Sequence, residues 1–337
     1  MGLKFDRKIV IVTRATQLAS LKSRYATRSQ ARFQIVSAKK RELARAGAPA
    51  AKVEAMAAEA FEDIDRASQV YDETVQRVQA DLAAAKLELP IQTIDREFLP
   101  NFLFGPDDVI VTIGQDGLVA NTAKYVLGLP IIAVNPDPKR IDGVLLPFQT
   151  DQARSAVQNV LNRKAKFNEV TLAQATLPDG QTLLAFNELF IGRSNHTSAR
   201  YRLSVGDRTE PQSSSGVLVC TGAGSTGWLS SVLKMAAGVT GVFGQSKKHE
   251  SVSLKLGWAA PKLVFVVREP FVSKTSSANL IAGMVEAGKE IVIESEMASD
   301  GVIFSDGVEA DHIEFNSGSI ARIKAAPAKA RIVMPSE

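Results

Sequence analysis

The sequence contains a single cysteine, Cys220, and three histidines among its 337 residues. One cysteine excludes an internal disulfide framework and is typical of a reducing compartment. The histidines, His196, His249 and His312, lack the close spacing of zinc ligands. No apolar run approaches the roughly 18 residues that a membrane span requires. We therefore expect a soluble, cytoplasmic protein with no membrane partner.

Charge is unevenly distributed along the chain. Residues 1–45 contain 12 Lys and Arg against 2 acidic residues, whereas residues 51–99 contain 5 basic and 11 acidic side chains. A basic segment favours phosphate-bearing ligands, although a solvated face paired with the acidic segment is an equally good reading. No basic stretch is interleaved with aromatic residues, so we expect no nucleic-acid partner.

The first part of the chain has the pattern of an α/β domain. Short β-branched runs at Lys8–Thr13, Val109–Ile113 and Pro130–Asn135 predict strands. Between the last two, Leu118–Leu127 predicts a helix that ends at Gly128. A strand, helix and strand at this spacing form a βαβ unit, which predicts a parallel sheet.

A long helical insertion separates the first strand from the second, over about residues 14–98. Apolar residues from Val53 to Leu82 recur at steps of three and four, which is the period of an amphipathic helix. Its apolar face predicts packing on the sheet or on a partner subunit. We therefore expect a homo-oligomer with this helix as a candidate contact.

The pattern changes after Gln149. A helix from about residue 151 to 163 leads into many short strand-like runs separated by Gly, Asp, Ser and Pro, which predict an antiparallel β domain. Only Ser225–Ala237 reads as helical there. We therefore expect an α/β domain at 1–149 and a predominantly β domain at 150–337. The runs are Asn168–Ala173, Thr182–Ala185, Tyr201–Val205, Val217–Cys220, Leu263–Val267, Glu290–Ile293, Val302–Phe304, His312–Phe315, Ala321–Lys324 and Ala330–Val333.

Gly114–Gly117, which we call the glycine loop, reads GQDG and follows a predicted parallel strand. Ligands bind at this edge of open α/β sheets, and glycines allow close backbone approach. A helix that starts near Leu118 directs its positive end at the same place, which suits phosphate. Asp116 would repel a phosphate, but its carboxylate could bind Mg²⁺ or accept a proton from a hydroxyl that attacks phosphorus. Asp-Gly is also a common turn.

Four further features are candidates for a site. The small-residue loop, Thr221–Thr226, links a strand to a helix, and its Ser225 and Thr226 hydroxyls predict helix capping or ligand contact. Asn187 and Glu188 form a polar pair between apolar runs. Asp306-Gly307 predicts a hairpin turn more than a site. Arg268 faces either a phosphate or, by default, a neighbouring carboxylate.

Taken together and in order, these motifs resemble the NAD kinase family. They are GQDG (114–117), VNPDPKRIDGVLLPF (134–148), NELFIG (187–192), SSSGVLVCTGAGSTGW (213–228) and REP…SDG (268–307). The match is most similar to the mitochondrial-type branch, in which the block that corresponds to 213–228 also reads SSG…CTG…GS…W. The resemblance covers about residues 100–310, and it implies an α/β nucleotide-binding domain followed by an all-β domain.

The resemblance implies an enzyme that transfers the terminal phosphate of ATP to the 2′-hydroxyl of NAD, with Mg²⁺. NAD or NADH and ATP are the implied ligands. It assigns Asp116 as the base or orienter of the hydroxyl, and Asn187 with Glu188 as contacts to the dinucleotide. Gly114 and Gly117 correspond to the loop that approaches phosphates. The residues implied for the adenosine site are Thr221, Gly222, Gly224, Ser225 and Thr226.

Three departures from the family pattern leave alternatives open. Gln115 stands where the family has a second glycine, Leu118 stands where it has threonine, and Ser215 stands where most members have aspartate. A related kinase that acts on another hydroxyl, of a sugar or another nucleotide, is one alternative. A non-catalytic module that senses a dinucleotide is the other, and the retained Asp116 argues against it.

Overall fold

The computed structural model describes residues 7–244 and 254–336, and the chain divides into two compact units. The first unit contains residues up to Val119, Ile132–Lys166 and the chain from Val333, and the second contains Ala120–Ile131 and Phe167–Ile332. The first is α/β and the second is dominated by antiparallel β-sheet, which confirms the expected fold class. The single boundary at residue 149 stays a prediction.

Neighbouring strands form the centre of the first unit. Their order is β2 (Ile91–Asp95), β1 (Ile9–Thr13), β3 (Val109–Ile113) and β4 (Pro130–Val134). β1 pairs in parallel with both β2 and β3. Every residue of β3 is buried, as is usual for parallel strands that helices cover on both faces. β2 was missed by the sequence reading because its sequence, IQTID, has no long apolar run.

Helices fill the insertion expected between residues 14 and 98. They are α1 (Gln17–Tyr25), α2 (Arg28–Arg45) and α3 (Ala50–Ala84). The hydroxyls of Thr16 and Thr27 cap α1 and α2, since each accepts from the N–H of the third residue of its helix. α3 is about 50 Å long by the rise per residue of an α-helix. It contains the predicted Val53–Leu82 helix and shares an apolar core with α1 and α2.

α4 (Asp116–Ala123) starts two residues before the expected position and stops before the expected end at Leu127. The prediction of its end was wrong because Lys124 N and Tyr125 N bond carbonyls three residues back, which tightens the chain into turns. Leu127 and Gly128 then take positive φ values of 31° and 84°. A further helix, α5 (Ala153–Leu161), follows a short 3₁₀ turn at Thr150–Gln152.

Two sheets make up most of the second unit. In the first sheet, β5 (Lys166–Thr176) pairs with β6 (Thr182–Ala185) and with β16 (Ile320–Met334), which continues through β13 (Ile291–Ser295) and β8 (Ala199–Val205) to β9 (Arg208–Ser214). The second has the order β12 (Ala282–Val285), β11 (Leu263–Val267), β10 (Val217–Cys220), β7 (Glu188–Arg193), β14 (Gly301–Ser305) and β15 (Val308–Glu314). One apolar core contains side chains from both sheets, as in a β-sandwich.

The other face of the second sheet carries α6 (Trp228–Phe243), whose Leu229 packs against Phe190 and Leu218. This helix starts three residues after the predicted Ser225 and extends six residues past the predicted Ala237. Of the described residues, no helix is both long enough and apolar enough to cross a membrane.

Candidate functional site

Gly114 follows the last residue of β3, and its N–H donates to the carbonyl of Val134 at 3.3 Å. A Cβ atom at this position would lie 2.8 Å from Cδ2 of Leu118, so packing within the loop favours glycine. Gly117 is exposed, and a Cβ atom there would meet nothing within 4 Å. Neither residue has a positive φ. Backbone strain therefore does not explain Gly117, whereas close approach of a ligand would.

Asp116 is the first residue of α4, and its carboxylate is held by a second segment of the chain. Oδ1 accepts from the N–H of Leu145 at 2.9 Å, and Oδ2 accepts from the N–H of Val144 at 3.2 Å. The side chain is partly exposed. Each carboxylate oxygen has room for a further partner, so Asp116 both anchors the 144–145 backbone and keeps acceptor capacity.

In the second unit, Asp306 organises the backbone of Phe186–Glu188, which we call the Asn-Glu turn. Its carboxylate accepts from the N–H groups of Phe186, Asn187 and Glu188 at 2.9, 2.6 and 3.3 Å. Burial raises the pKa of Asp306, while Lys124 and the three N–H donors act in the opposite direction. Asp306 and Gly307 have φ values of 55° and 70° and join β14 to β15, which confirms the expected hairpin turn.

Lys124 supplies a buried positive charge beside this hairpin. Its ammonium group donates to Ser305 Oγ at 2.8 Å and lies 3.4 Å from Oδ2 of Asp311. Only 1% of the Lys124 side chain is exposed. The hydroxyl of Tyr125 also donates to Asp311. The sequence reading missed Lys124 and the anchoring role of Asp306, because only the fold brings them to the Asn-Glu turn.

The small-residue loop is bonded directly to the Asn-Glu turn. Thr221 Oγ1 donates to the carbonyl of Phe186 at 2.6 Å, and Thr221 N donates to the carbonyl of Asn187 at 2.8 Å. A Cβ atom at Gly224 would lie 2.1 Å from the same Asn187 carbonyl oxygen, and one at Gly222 would lie 2.2 Å from the carbonyl oxygen of Gly257. Both glycines are therefore required by the packing of the loop itself.

The expected capping of α6 by Ser225 and Thr226 was wrong. Gly227 occupies the N-cap position, and no side chain caps the helix. Ser225 Oγ instead donates to the carbonyl of Gly222 at 2.7 Å, within its own loop. Thr226 is exposed. Contact with a ligand by Thr226 stays a prediction, and Ser225 is occupied in holding the loop.

Glu188 is a second buried carboxyl group of this assembly. It begins β7, is buried, and has neither an ion pair nor a hydrogen bond to its carboxylate from the part of the chain that the structure describes. Burial, with a smaller effect of the Asp306 charge, raises its pKa to about 7. A buried carboxyl group without a partner suits hydrogen bonding to a ligand. The Asn187 side chain is partly exposed and likewise lacks a hydrogen-bond partner among the described residues.

The remaining candidates have ordinary structural partners. Arg268 lies 3.7 Å from Glu269 and 5.2 Å from the ring centroid of Trp228, at the edge of a cavity of about 560 Å³. Cys220 is buried opposite Glu188 on β10, and burial raises the pKa of its thiol, so it is inert as expected.

Over residues 7–244 and 254–336, no three His, Cys, Asp or Glu side chains are grouped to hold a metal ion.

The structure therefore gathers the predicted residues into two sets. Asn187 and Glu188 adjoin Thr221, Gly222, Gly224 and Ser225 in the second unit, with Thr226 at the end of the same loop. Gly114, Asp116 and Gly117 adjoin one another at the end of β3 in the first unit. Asp306 is the main residue that the sequence reading undervalued, because its Asp-Gly dipeptide predicts a turn, although SDG is one of the blocks of the family resemblance.

Comparison with curated proteins finds similarity to mitochondrial NAD kinase 2. The chain is 25% identical to that protein from Rattus norvegicus over 279 residues and from Homo sapiens over 279 residues, and 25% identical to that from Xenopus tropicalis over 296 residues. Each alignment covers 64% of this chain. The chain spans 64% and 62% of the rat and human proteins, which is less than two thirds of their length. No family model matches the chain.

Solved structures that share the fold include an NADH kinase and an NAD kinase. A yeast NADH kinase complexed with NADH superposes with a TM-score of 0.55 at 14% identity, and covers 99% of this chain and 85% of its own. An NAD kinase from Archaeoglobus fulgidus in complex with ATP superposes with a TM-score of 0.52 at 18% identity, over 77% of this chain and 88% of its own. The resemblance expected from the motifs is confirmed by these similarities.

Proposed function

We propose that this protein is an ATP-dependent kinase that phosphorylates the adenosine 2′-hydroxyl of NAD to give NADP. The proposal draws on the similarity to proteins named NAD kinase 2 and on the fold shared with NAD and NADH kinases. The fold alone does not determine chemistry. The proposed chemistry therefore depends on the residues of the two sets.

One observation supports the proposal most. Glu188 is a buried carboxyl group without a protein partner, placed at a turn that Asp306 and Thr221 hold rigid. A rigid carboxyl group that accepts hydrogen bonds is suited to fix the hydroxyls of a ribose. The Asn187 side-chain amide has no hydrogen-bond partner among the described residues. It adds one group that can donate and one that can accept a hydrogen bond from a ribose hydroxyl.

The reaction assigns a distinct role to Asp116. The oxygen of the 2′-hydroxyl forms a bond to the terminal phosphorus of ATP, the bond from that phosphorus to the bridging oxygen breaks, and ADP leaves. The hydroxyl proton passes to a carboxylate oxygen of Asp116. The two N–H donors from Val144 and Leu145 fix the orientation of this carboxylate. Positioning of this kind supplies most of the catalysis in phosphoryl transfer.

The donor set at Asp116 fits Mg²⁺, which is bound by one or two carboxylates together with substrate phosphates and water. Each oxygen of Asp116 accepts one N–H and retains a second lone pair, and the side chain is partly exposed. Asp116 is therefore the residue that would hold the ion. When bound, Mg²⁺ neutralises phosphate charge as the terminal group transfers.

The test is NADP formation by the purified protein with ATP, Mg²⁺ and either NAD or NADH. We expect NADP or NADPH in the wild type and at least about a hundredfold slower formation in Asp116→Asn, as for loss of a proton acceptor. Asp107→Asn is the matched control, because Asp107 is exposed and lies in the same unit. If neither NAD nor NADH gives a product at high enzyme concentration, the proposal is refuted.

A related kinase with a different hydroxyl acceptor is the second candidate. Leu118 is buried against Gly114, so no hydroxyl is available where the family has threonine, and Gln115 is exposed in the loop. A thermal-shift panel of nucleotides and sugars separates the two candidates, because a ligand that binds the native state raises the melting temperature. If the protein is instead a non-catalytic sensing module, we expect it to bind NAD without forming NADP.

A cytoplasmic location and a homo-oligomeric state are part of the proposal. The matched relatives carry the word mitochondrial in their names, so fractionation of the native cell tests the location. Mass measurement in solution, with and without the Val53–Leu82 helix, tests the expected subunit contact. An unchanged number of subunits after its deletion would refute the contact.

A further inference from the structure

A cavity of about 400 Å³ lies in the first unit, where β1 ends and α1 begins. Its charged lining consists of three basic residues and two acidic ones, which are Arg14, Lys22, Arg28, Asp65 and Asp72. None of these residues belongs to a motif of the family resemblance. They lie in the basic segment 1–45 and the acidic segment after it, for which the proposed function has no role.

The charges of the cavity do not cancel. Arg28 forms two hydrogen bonds of 2.9 Å to the two carboxylate oxygens of Asp65, and this guanidinium holds the pKa of Asp65 below its usual range. That pair is satisfied internally. The other charged groups of the lining are Arg14, Lys22 and the exposed carboxylate of Asp72, so the remaining lining carries a net positive charge. Such a lining favours an anionic ligand.

The position of Arg14 is built into the fold by Tyr71. Arg14 N donates to the hydroxyl of Tyr71 at 2.9 Å, and that hydroxyl donates to the carbonyl of Ile113 at 3.0 Å. Burial raises the pKa of Tyr71 to about 12, so the hydroxyl keeps the proton that it donates. The Arg14 guanidinium lies 5.1 Å from the centroid of the Tyr71 ring. Tyr71 thus ties the end of β1 to the end of β3.

Arg14 consequently lies beside the glycine loop. A Cβ atom at Gly114 would lie 3.6 Å from Cδ of Arg14. One guanidinium nitrogen donates to the carbonyl of Ala15 at 3.2 Å, but Nε is buried and has no acceptor among the described residues. A buried donor without an acceptor is costly. Phosphate oxygens are the acceptors that a guanidinium binds best, in a bidentate arrangement.

We propose that this cavity binds the polyphosphate chain of the phosphate donor, with Arg14 as the principal phosphate-binding residue and Lys22 as a second. The identity of the donor as ATP rests on the proposed function, whereas the recognition of a polyphosphate chain does not. The same chemistry occurs in ATP and in inorganic polyphosphate. Arg14 lines the cavity and also lies beside Gly114, so a chain bound to Arg14 can extend from residues 14–22 toward the glycine loop.

Direct binding tests the site without reference to turnover. ATP and inorganic tripolyphosphate are titrated into the full chain by calorimetry, for the wild type, Arg14→Gln and Lys22→Gln. We expect binding by the wild type and at least roughly tenfold weaker binding in Arg14→Gln, as for loss of one charge-assisted hydrogen bond. Arg24→Gln is the matched control, because Arg24 lies on the same helix as Lys22, its guanidinium is 5.6 Å from the centroid of the Tyr25 ring, and it is outside the cavity lining.

The outcomes distinguish the two phosphate sources. Loss of affinity for both ligands in Arg14→Gln assigns recognition to the polyphosphate chain, and loss for ATP alone assigns the site to the nucleotide. Lys22→Gln is included because Arg14 also packs on Tyr71, and melting temperatures identify any variant that fails to fold. Absence of wild-type binding, or affinities unchanged in both folded variants, would overturn the inference.

Kinetics separate this inference from the proposed function. If NADP is formed, Arg14→Gln raises KM for ATP by roughly tenfold or more and leaves KM for NAD within about twofold, because only the donor contacts Arg14. NADP formation with an unchanged KM for ATP overturns the inference alone. Binding of tripolyphosphate through Arg14 without NADP formation retains the site and overturns the proposed function.

Discussion

Three carboxyl groups, Asp116 in the first unit and Glu188 and Asp306 in the second, show how one functional group takes different roles. Asp306 accepts three backbone N–H groups, Asp116 accepts two, and Glu188 accepts none from the described residues. A carboxylate oxygen that accepts a backbone N–H stabilises the fold, whereas one that accepts none is available to a ligand. On this criterion Asp306 serves the fold, and we propose that Glu188 binds a ligand and that Asp116 does both.

The two glycine-containing loops differ in the same way. Gly222 and Gly224 face backbone carbonyls at distances that exclude any side chain, so the fold itself requires them. Gly117 has open space around it. A glycine that the fold does not require is the better indicator of ligand approach.

The largest effect is expected for Asp306→Ala. It leaves the N–H groups of Phe186, Asn187 and Glu188 without their acceptor, which should lower the free energy of unfolding by about 3 kcal/mol or more. Loss of activity should accompany it. Chemical denaturation measures the change, and Asp207→Ala in an exposed hairpin turn is the control. A loss below about 1 kcal/mol would show that Asp306 does not anchor the turn.

Gly224→Ala should follow, with a loss of about 2–4 kcal/mol, since its Cβ atom would lie 2.1 Å from the Asn187 carbonyl oxygen and force the backbone to move. Gly238→Ala in α6 is the matched control. It has open space, so removal of a helical glycine should stabilise the protein by about 0.5–1 kcal/mol. Equal melting temperatures for the two variants would contradict the steric argument.

Glu188→Gln tests the unpaired carboxyl group through pH. Its pKa is raised from 4.5 to about 7 in the folded state, so its stabilising contribution is complete below pH 4.5 and is lost as the pH rises through 7. Glutamine does not titrate. The variant should exceed the wild type in stability at about pH 8 by at most about 3 kcal/mol and be less active. Parallel pH profiles of melting temperature for the two proteins would refute the shifted pKa.

The smallest effect on stability is expected for Gly117→Ala. Its Cβ atom would meet nothing within 4 Å, and alanine in the first turn of α4 should leave stability unchanged or raise it by up to about 1 kcal/mol. Activity should fall by roughly tenfold if a phosphate approaches the backbone there, as for loss of one good contact. Full activity in Gly117→Ala would show that the backbone at Gly117 does not bind a phosphate.

Local pattern predicted the elements whose own residues are apolar and periodic. β3, β6, β10 and β11 match the predicted ranges at both ends, and α3 contains the predicted helix. β9, with the sequence RTEPQSS, was missed because its residues are polar and its strand conformation comes from pairing with β8. The runs at 321–324 and 330–333 belong to one long strand, β16.

The candidate site divides in the same way. Gly114, Asp116, Asn187, Glu188 and the small-residue loop were found from short motifs, because each motif lies within a few residues. The anchoring role of Asp306 and the position of Arg14 were not, because their partners are distant in sequence. Asp306 reaches the Asn-Glu turn only since β14 pairs with β7, and Arg14 reaches Gly114 only since β1 pairs with β3.

The sequence by itself determined the α/β and β character of the two parts, the long helix and the positions of the glycine, Asn-Glu and small-residue motifs. These depend on periodicity and turn chemistry, which act over a few residues. Tertiary structure decided which carboxyl groups have partners, which glycines are required and where Arg14 lies. Burial and hydrogen bonding depend on neighbours brought together by strand pairing, and no local pattern contains that information.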